Sequence, residues 1–105
     1  ATERAVWITV YPEIDANTGY AGATALENAL VLLNDTDLLV GRDVIANRIR
    51  EIVMSFDGVF DMTQPPQLGF AAAPAGTANL AISSREIARL DTARIVVNET
   101  LSPLP

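Results

Sequence analysis

The chain has 105 residues, half of them apolar, and this length suits one folded domain that buries roughly two thirds of the surface of its unfolded chain. It contains no His and no Cys, which excludes an imidazole base, a thiolate nucleophile and a Cys/His zinc site built from this chain alone. Seven Arg, no Lys and thirteen acidic residues give a formal charge of −6, which argues against nucleic acid as a partner, because phosphate binding depends on basic patches.

The N-terminal segment from Ala5 to Asp15 is predicted to be a β-strand. Two sets of β-favouring residues alternate along it: Val6, Ile8 and Val10 lie on one face, and Trp7, Thr9 and Tyr11 lie on the other. Because Pro12 has no N–H group to donate, we expect the strand to end near it or to run along a sheet edge there. The stretch 17–22 contains two glycines and is predicted to be a loop.

The next predicted element is a helix that begins near Thr24. Thr24 and Glu27 have the spacing of a capping box, in which the two side chains bind free backbone N–H groups at the helix start. An apolar stripe follows at helical spacing, formed by Leu26, Ala29, Leu30 and Leu33. The polar segment Asn34–Asp37 is expected to end the helix, because its side chains compete for backbone hydrogen bonds.

The clearest helical pattern in the chain lies after Gly41. Its apolar side chains recur on one helical face, at Ile45, Ile49, Ile52, Val53 and Phe56. We expect this helix to form the centre of the core. Asp43 is the predicted N-terminal cap, and Gly58 falls just past the C-terminal end, where a left-handed residue commonly terminates a helix.

A second strand is predicted at Val59–Thr63, where apolar and polar residues alternate again. The prolines that follow, Pro65 and Pro66, are expected to stop it. The stretch Gln67–Asn79 is rich in Gly, Ala and Pro and is predicted to be a long surface loop. Leu80–Ile82, after this loop, fits either a short additional strand or irregular structure.

The segment before the last strand fits two local structures. Ser83 and Glu86 have capping-box spacing, which favours one or two turns of helix, and nothing else nearby decides the matter. Arg94–Asn98 is the predicted closing strand. Residues 1–4 and 99–105 are expected to be loose tails.

These elements predict an α+β fold in which residues 1–105 form a single domain. The strands at 5–15, 59–63 and 94–98 would form a small, mainly antiparallel sheet. The two helices would cover one face of the sheet, because each element has one apolar side that must be buried.

No catalytic, cofactor-binding or metal-ligating residue is predicted. Asp35, Asp37 and Asp43 surround Gly41 and superficially resemble a calcium-binding loop, but the intervening apolar residues do not fit the required alternation of ligands. Helix capping is the favoured role for these acids. The sequence also offers no pair of carboxylates on one rigid face with an apolar wall that would raise a pKa.

Arginines and aromatic residues are the candidates for contacts with other molecules. Arg48, Arg50, Arg85, Arg89 and Arg94 have the chemistry for bidentate anion binding, although a solvated face or ion pairs between subunits is the favoured interpretation. Trp7 and Tyr11 either complete a core or form an exposed patch that contacts a neighbour, and the two interpretations have equal weight. The predicted interface residues are Trp7, Tyr11, Leu68, Phe70, Arg85 and Arg89.

A series of short motifs follows in a recognisable order from Thr18 to Asn98. After a tyrosine and an Ala- and Leu-rich helix come four segments: Gly41-Arg42-Asp43-Val44, Phe56-Asp57-Gly58-Val59, Pro65-Pro66 and Glu86-Ile87-Ala88-Arg89-Leu90-Asp91-Thr92. In this order and spacing, over about four fifths of its length, the chain resembles the C-terminal domain of the baseplate J-like family of contractile phage tails and related injection systems. In that family a helix ends in a similar Gly-Val pattern, and a segment similar to Glu-Ile-Ala-x-Leu-Gly precedes the last strand.

The resemblance implies a structural subunit of a tail baseplate, without catalysis. Its partners would be other baseplate, tail and sheath proteins, in several symmetric copies, and its place would be the virion after synthesis in the host cytoplasm. The resemblance also implies a turn rather than a helix at 84–90. The alternative is a small intracellular adaptor or regulatory domain that binds a single protein. No apolar run approaches the roughly 18 residues of a membrane span, and a soluble, intracellular chain is expected.

Overall fold

The N-terminal segment forms two strands in the computed structural model, which describes residues 2–15 and 19–101. They are β1 (Thr2–Ala5) and β2 (Trp7–Ile14), with Val6 between them. The other strands are β3 (Val59–Gly69), β4 (Glu86–Arg89), β5 (Ile95–Val97) and β6 (Thr100–Leu101). The helices are α1 (Ala23–Val31), α2 (Leu33–Thr36) and α3 (Ala46–Ser55), and a 3₁₀ turn spans Thr92–Arg94.

Strand β2 is the centre of a four-stranded sheet. β3 pairs with it antiparallel on one side, and β5 and β6 pair with it in parallel on the other. β1 and β4 form a separate parallel pair. The expected α+β class is confirmed. The sheet is mixed rather than purely antiparallel, because the chain crosses through β4 between β3 and β5, and a parallel neighbour needs such a crossover.

The C-terminal strands β4 and β5 pair in parallel with the N-terminal strands β1 and β2, in the same order. β4 pairs with β1 and β5 pairs with β2, and the register moves by three residues at the 3₁₀ turn that joins β4 to β5. Asp91 begins this turn, because its side chain accepts the N–H of Ala93 at 2.9 Å. Residues 2–4 and 100–101, which the sequence placed in loose tails, therefore belong to strands.

Pro12 lies inside β2 and does not end it. It pairs with Met62 of β3, and on its other side the parallel partner changes from β5 to β6. Asn98 donates its N–H to the carbonyl of Val10 at 2.9 Å, so the next rung of the ladder would run from the N–H of residue 12 to the carbonyl of Asn98. Proline lacks that N–H, and the parallel strand is interrupted at Asn98 and Glu99.

Strand β3 is longer than the sequence predicted. It continues past Thr63 to Gly69 and runs through Pro65 and Pro66. The register of β3 against β2 shifts at the two prolines, which is the pattern of a bulge. Proline is tolerated there because β3 is an edge strand, in which some N–H groups face away from the sheet. The loop expected over Gln67–Asn79 consequently starts after Gly69.

Helix α1 begins without the predicted capping box. Its first residue is Ala23, so Thr24 and Glu27 both lie inside the helix, and no side chain caps its start. The preceding Gly22 has a φ of 106°, a left-handed conformation that glycine adopts without steric cost. The chain therefore turns into the helix through backbone geometry at Gly22.

The apolar stripe of the first helix is buried as predicted, although the helix is interrupted. Leu26 and Leu30 of α1 have no exposed surface, and Ala29 is half-buried. After α1 ends at Val31, the short helix α2 places Leu33 in the core. α2 ends at Thr36, which lies inside the polar segment Asn34–Asp37 where the helix was expected to end.

Helix α3 buries the face predicted for it. Ile49 and Val53 are fully buried, and Ile52 and Phe56 pack against the core. Ile45, which was expected in the same stripe, precedes the helix and is 38% exposed. Gly58 has a left-handed φ of 94° but does not terminate the helix as expected: α3 ends at Ser55 with Phe56 in an extended conformation, and Gly58 lies in the turn before β3.

The N-terminus of α3 is capped from a distant part of the chain. Asp43, the predicted cap, instead accepts the N–H of Ile82 at 2.9 Å. The N–H of Ala46, the first helical residue, donates to the side-chain oxygen of Asn79 at 2.8 Å. The cap is thus provided by the loop that follows β3, at a separation that no local sequence pattern indicates.

The segment before β4 contains no helix. Leu80 forms an isolated bridge through two backbone hydrogen bonds of 2.9 Å with Val44, and no strand forms at 80–82. Ser83 and Glu86 form a turn, in which the N–H of Glu86 donates to the carbonyl of Ser83 at 3.0 Å and the Glu86 carboxylate accepts the N–H of Ser83 at 3.3 Å. The expectation of no helix at 84–90 is confirmed, and the turn leads directly into β4.

The core fills the space between the helices and one face of the sheet. That face carries Ile8 and Val10 of β2; the alternation separated it from the Trp7 face without deciding which of the two is buried, and the helices cover one face of the sheet as expected. The buried core side chains come from every helix and from four of the strands or the residues beside them: Val6, Ile8, Val10, Leu26, Leu30, Leu33, Leu38, Val44, Ile49, Val53, Leu68, Ile82, Ala88, Leu90 and Ile95.

Replacement of Asn79 by Ala tests the remote helix cap. The variant loses the acceptor for the N–H of Ala46, so we expect the free energy of unfolding to fall by about 1 kcal/mol, the usual cost of removing an N-cap. Asn79→Asp keeps an acceptor oxygen and should retain most of the stability. Urea unfolding followed by circular dichroism measures both variants, and equal losses in the two would contradict the capping role.

Candidate interaction surface

The face of the sheet opposite the core carries the aromatic residues of β2. Ile8 and Val10 pack with helical residues in the core, so the helices occupy the inner side of the sheet. Alternation places the other set of side chains on the opposite side. We define the outer face by five of these residues: Trp7, Thr9 and Tyr11 of β2, Gln67 of β3 and Val96 of β5. Trp7 and Tyr11 thus lie outside the core and are half-buried.

The indole of Trp7 has a glycine and a cation as neighbours. Gly69 lies directly across from Trp7 on β3, and Pro74 packs where a side chain at position 69 would begin, since an added Cβ would lie 3.0 Å from the Pro74 Cβ. The guanidinium carbon of Arg94 lies 5.7 Å from the ring centroid, within the range of cation–π attraction. Arg94 is in turn held by a 3.3 Å hydrogen bond to the carbonyl of Arg89. These contacts support the orientation of the ring on the outer face.

The remaining outer-face residues surround Thr9. The hydroxyl of Tyr11 donates a hydrogen bond to the side-chain oxygen of Gln67, which ties the phenol ring to β3. Thr9 lies between Trp7 and Tyr11 along the strand and is only 7% exposed. Val96 lies beside Thr9 on β5 and is 50% exposed. The outer face therefore combines two anchored aromatic rings with an exposed branched aliphatic side chain.

Phe70 directly follows β3, and in the folded chain it lies close to Arg4 of β1. It is half-buried and packs against the core, and the guanidinium carbon of Arg4 lies 4.0 Å from its ring centroid. Arg4 also forms an ion pair of 3.4 Å with Glu86 of β4. Phe70 is therefore covered on one side by a cation of the same chain and leaves only part of its ring for a partner.

Two predicted interface residues have structural positions instead. Leu68 is 2% exposed and belongs to the core, so its side chain is not accessible to a partner. Nη1 of Arg89 donates to the carbonyl of Asn34 at 3.2 Å and to the carbonyl of Leu38 at 3.0 Å. Asn34 lies in α2, and Leu38 lies just after it. Arg89 is thus used to bind backbone oxygens left free near a helix end. Arg85 is exposed, as an interface residue must be.

The acidic residues near Gly41 do not converge. Asp37 forms an ion pair of 2.6 Å with Arg48, while Asp43 binds a backbone N–H group and Asp35 is exposed. The hydrogen bond from Arg48 holds the pKa of the Asp37 carboxyl below its usual value of 3.8. Among residues 2–15 and 19–101, no group of three or more acidic side chains is placed to hold a metal ion.

Arg48 was one of the arginines considered for anion binding. It lies in a groove of about 600 Å³ between α2 and the start of α3, where Asp37 and Glu51 both bind it at 2.6 Å. The two carboxylates raise the pKa of the guanidinium. Because both acids already bind the cation within the chain, Arg48 does not suit an anion site, and the expectation of ion pairs between subunits stays a prediction.

Sequence reasoning missed Val96 and Arg94 as parts of the outer face. The signal for Val96 was present, since it alternates with Ile95 and Val97, but nothing in the sequence indicates that β5 pairs with β2. Arg94 reaches Trp7 only because of that pairing. Both omissions have the same cause, which is that the neighbour of an edge strand cannot be deduced from the strand itself.

Comparison with known proteins gives no family assignment. No protein-family model matches the chain, and no curated protein sequence is significantly similar to it. In the part of the chain that the structure describes, no helix is long and apolar enough to cross a membrane.

Paired substitutions of Arg89 and Arg85 separate a structural from an exposed arginine. Arg89→Ala leaves partly buried carbonyl groups unbound, and we expect a loss of about 1 to 3 kcal/mol in the free energy of unfolding. Arg85→Ala should change it by less than about 0.5 kcal/mol, because the side chain is exposed. Urea unfolding of the two variants checks the difference, and a fully stable Arg89→Ala protein would refute the role assigned to Arg89.

The ion pair of Asp37 with Arg48 predicts how stability depends on pH. A carboxyl with a lowered folded-state pKa adds stability above its unfolded pKa, and that contribution is lost as the pH falls through the folded pKa. The native chain should therefore lose more stability on acidification below about pH 4 than Asp37→Asn, which has no titrating group there. The difference should be small, because both partners are partly exposed and solvent screens the pair. Urea unfolding at a series of pH values measures it, and parallel curves would contradict the pairing.

Proposed function

We propose that this chain is a structural subunit of a contractile phage tail baseplate, which links tail components through protein contacts. The order and spacing of its motifs, which resemble the C-terminal domain of the baseplate J-like family, support this assignment. Its partners would be other baseplate, tail and sheath proteins, in symmetric copies within the virion. Catalysis has no part in this proposal.

The observation that carries the proposal is the outer face of the sheet. Interfaces between proteins are enriched in Trp, Tyr and Arg, and residues that are held in place before binding lose less conformational entropy when they bind. Trp7 and Tyr11 meet both conditions, because Arg94 contacts the first ring and Gln67 binds the second. Val96 adds apolar surface beside them.

The arginines of the chain also fit a role in protein contacts. Four of them already have partners within the chain: Arg4 and Arg48 form ion pairs, and Arg89 and Arg94 donate to backbone carbonyls. A site that binds a free anion needs guanidinium groups with unused donors that converge. These four arginines instead support the fold, and this favours a protein surface over an anion site as the partner-binding feature.

The proposal is tested by genetic complementation in the genome that encodes the chain. Deletion of the coding sequence should give particles without an intact baseplate, and the unaltered sequence should restore them. Val96→Arg places a charge on the outer face and should fail to restore them, while the fold is retained because the residue is half-exposed. Leu32→Arg is the matched control: its side chain is 62% exposed between α1 and α2, away from the outer face, and it should restore function.

Normal infectious particles from the deletion would refute the baseplate role. The adaptor alternative predicts a different result, in which the chain is absent from purified particles and co-purifies with one cytosolic protein in a fixed ratio. Electron microscopy of particles and mass spectrometry of purified particles distinguish the two functions.

A further inference from the structure

We propose that the free edge of the sheet, along β5 and β6, accepts an extended segment of a different polypeptide as an additional β-strand, and that this segment carries a basic residue opposite Glu99. The inference concerns a surface other than the outer face. It does not depend on the baseplate assignment, because it follows from the backbone hydrogen bonds and charges of this edge.

The backbone of β5 has binding groups that point away from the sheet. Because Asn98 donates to Val10, the even-numbered residues of this strand face β2 and the odd-numbered residues face outward. The N–H of Ile95 is used by the carbonyl of Thr92 in the 3₁₀ turn. The N–H groups of Val97 and Glu99 have no backbone partner among the described residues. These two N–H groups are placed to form backbone hydrogen bonds with an added strand.

The opposite edge of the sheet is protected. Pro65 and Pro66 remove two N–H groups from β3, and Asp61 binds the N–H of Met62 with its own side chain at 2.8 Å. Farther along, the N–H of Leu68 donates at 2.8 Å to the loop that follows β3. Prolines, local side-chain bonds and covering loops are the devices by which proteins block an edge. The edge of β5 and β6 has none of them among the described residues.

Charge selects the occupant of this edge. Glu99 lies between β5 and β6, and both it and Glu27 of α1 act electrostatically on Tyr20, whose hydroxyl is buried without a hydrogen-bond partner among the described residues. Glu99 is near enough to affect the phenol although the pair does not reach hydrogen-bond geometry. Burial first, and then these carboxylates, raise the pKa of Tyr20 to about 12. The exposed Glu99 carboxylate, which lies on the strand path of this edge, favours an added strand that carries Lys or Arg opposite it.

A second copy of this chain fits the edge less well. The chain has a formal charge of −6 and no Lys, and a copy added along β5 would bring a second Glu99 into the same strand pair. Like charges at short range oppose association. A partner strand with basic residues gains both the main-chain hydrogen bonds and the charge pairing, as in other complexes formed by strand addition.

The test uses the whole chain and peptides selected for binding from a random library of about ten residues, long enough to span a typical strand. Selected peptides should alternate apolar with polar residues and contain Lys or Arg. Binding of the best peptide should slow amide hydrogen exchange at Val97 and Glu99. The amide of Asn98 already binds β2 and should change little. Nuclear magnetic resonance reads these amides one by one.

Two substitutions of Glu99 separate the backbone from the charge. Glu99→Pro removes the outward N–H and the carboxylate, and should weaken the selected peptide about tenfold or more. Glu99→Gln keeps the N–H and should weaken it by about two- to fivefold. Asp35→Asn removes an equal charge from an exposed site on α2 and should leave the affinity unchanged. If Glu99→Pro fails to fold, the exchange measurement on the unaltered chain and Glu99→Gln decide the matter.

Several results would overturn the proposal. They are a selection that yields no saturable binder, a selection dominated by acidic peptides, and a bound peptide that leaves the Val97 and Glu99 amides unprotected. A concentration-dependent dimer that protects the same amides would assign the edge to a second copy, and would equally overturn the occupant proposed here. None of these results bears on the complementation test of the baseplate role.

Discussion

Burial of β2 between partners on both sides is the constraint on which the rest of this fold depends. β3, β5 and β6 each pair with β2, so the four-stranded sheet exists only while this one strand is in place. Its inward side chains, Ile8 and Val10, have no exposed surface and anchor the helices. Its outward side chains carry the aromatic rings. One alternating stretch thus determines the core, the position of the helices and the composition of the outer face.

Regular patterns with local causes were predictable from the sequence. The alternation in β2 separated its two faces correctly, although it did not decide which of them the helices cover, and the helical spacing of Ile49 and Val53 identified the centre of the core. The errors involve pairings between distant residues. Pro65 and Pro66 were expected to stop a strand, because the sequence does not reveal that β3 lies at an edge. Asp43 was expected to cap α3 because it is close in sequence, whereas Asn79 comes close only in the folded chain.

The interaction surface was predictable to the same degree. The alternation along β2 placed Trp7 and Tyr11 together on one face. That this face is exposed follows only once the helices are known to cover the other face. Leu68 was wrongly counted as accessible because it was expected in a loop, whereas it lies in β3 and is buried; Arg89 lies in β4, half-buried, with its Nη1 bound to backbone carbonyls. An arginine near a helix end has backbone oxygens to bind, and its charge alone does not indicate a partner.

Pro12 divides the parallel neighbour of β2 into two separate strands, β5 and β6. β6 is held by the pairs of Glu13 and Ile14, and it shares no rung with β5, because the intervening rung requires an N–H that proline lacks. Its two residues are exposed, so separation of β6 disrupts little apolar packing of its own. Proteins open locally where buried contacts and hydrogen bonds are few. We therefore expect β6 to separate from β2 more readily than β5 does, with the separation ending at Pro12. Pro12 is then the boundary between the part of β2 whose parallel partner stays paired and the part whose parallel partner opens.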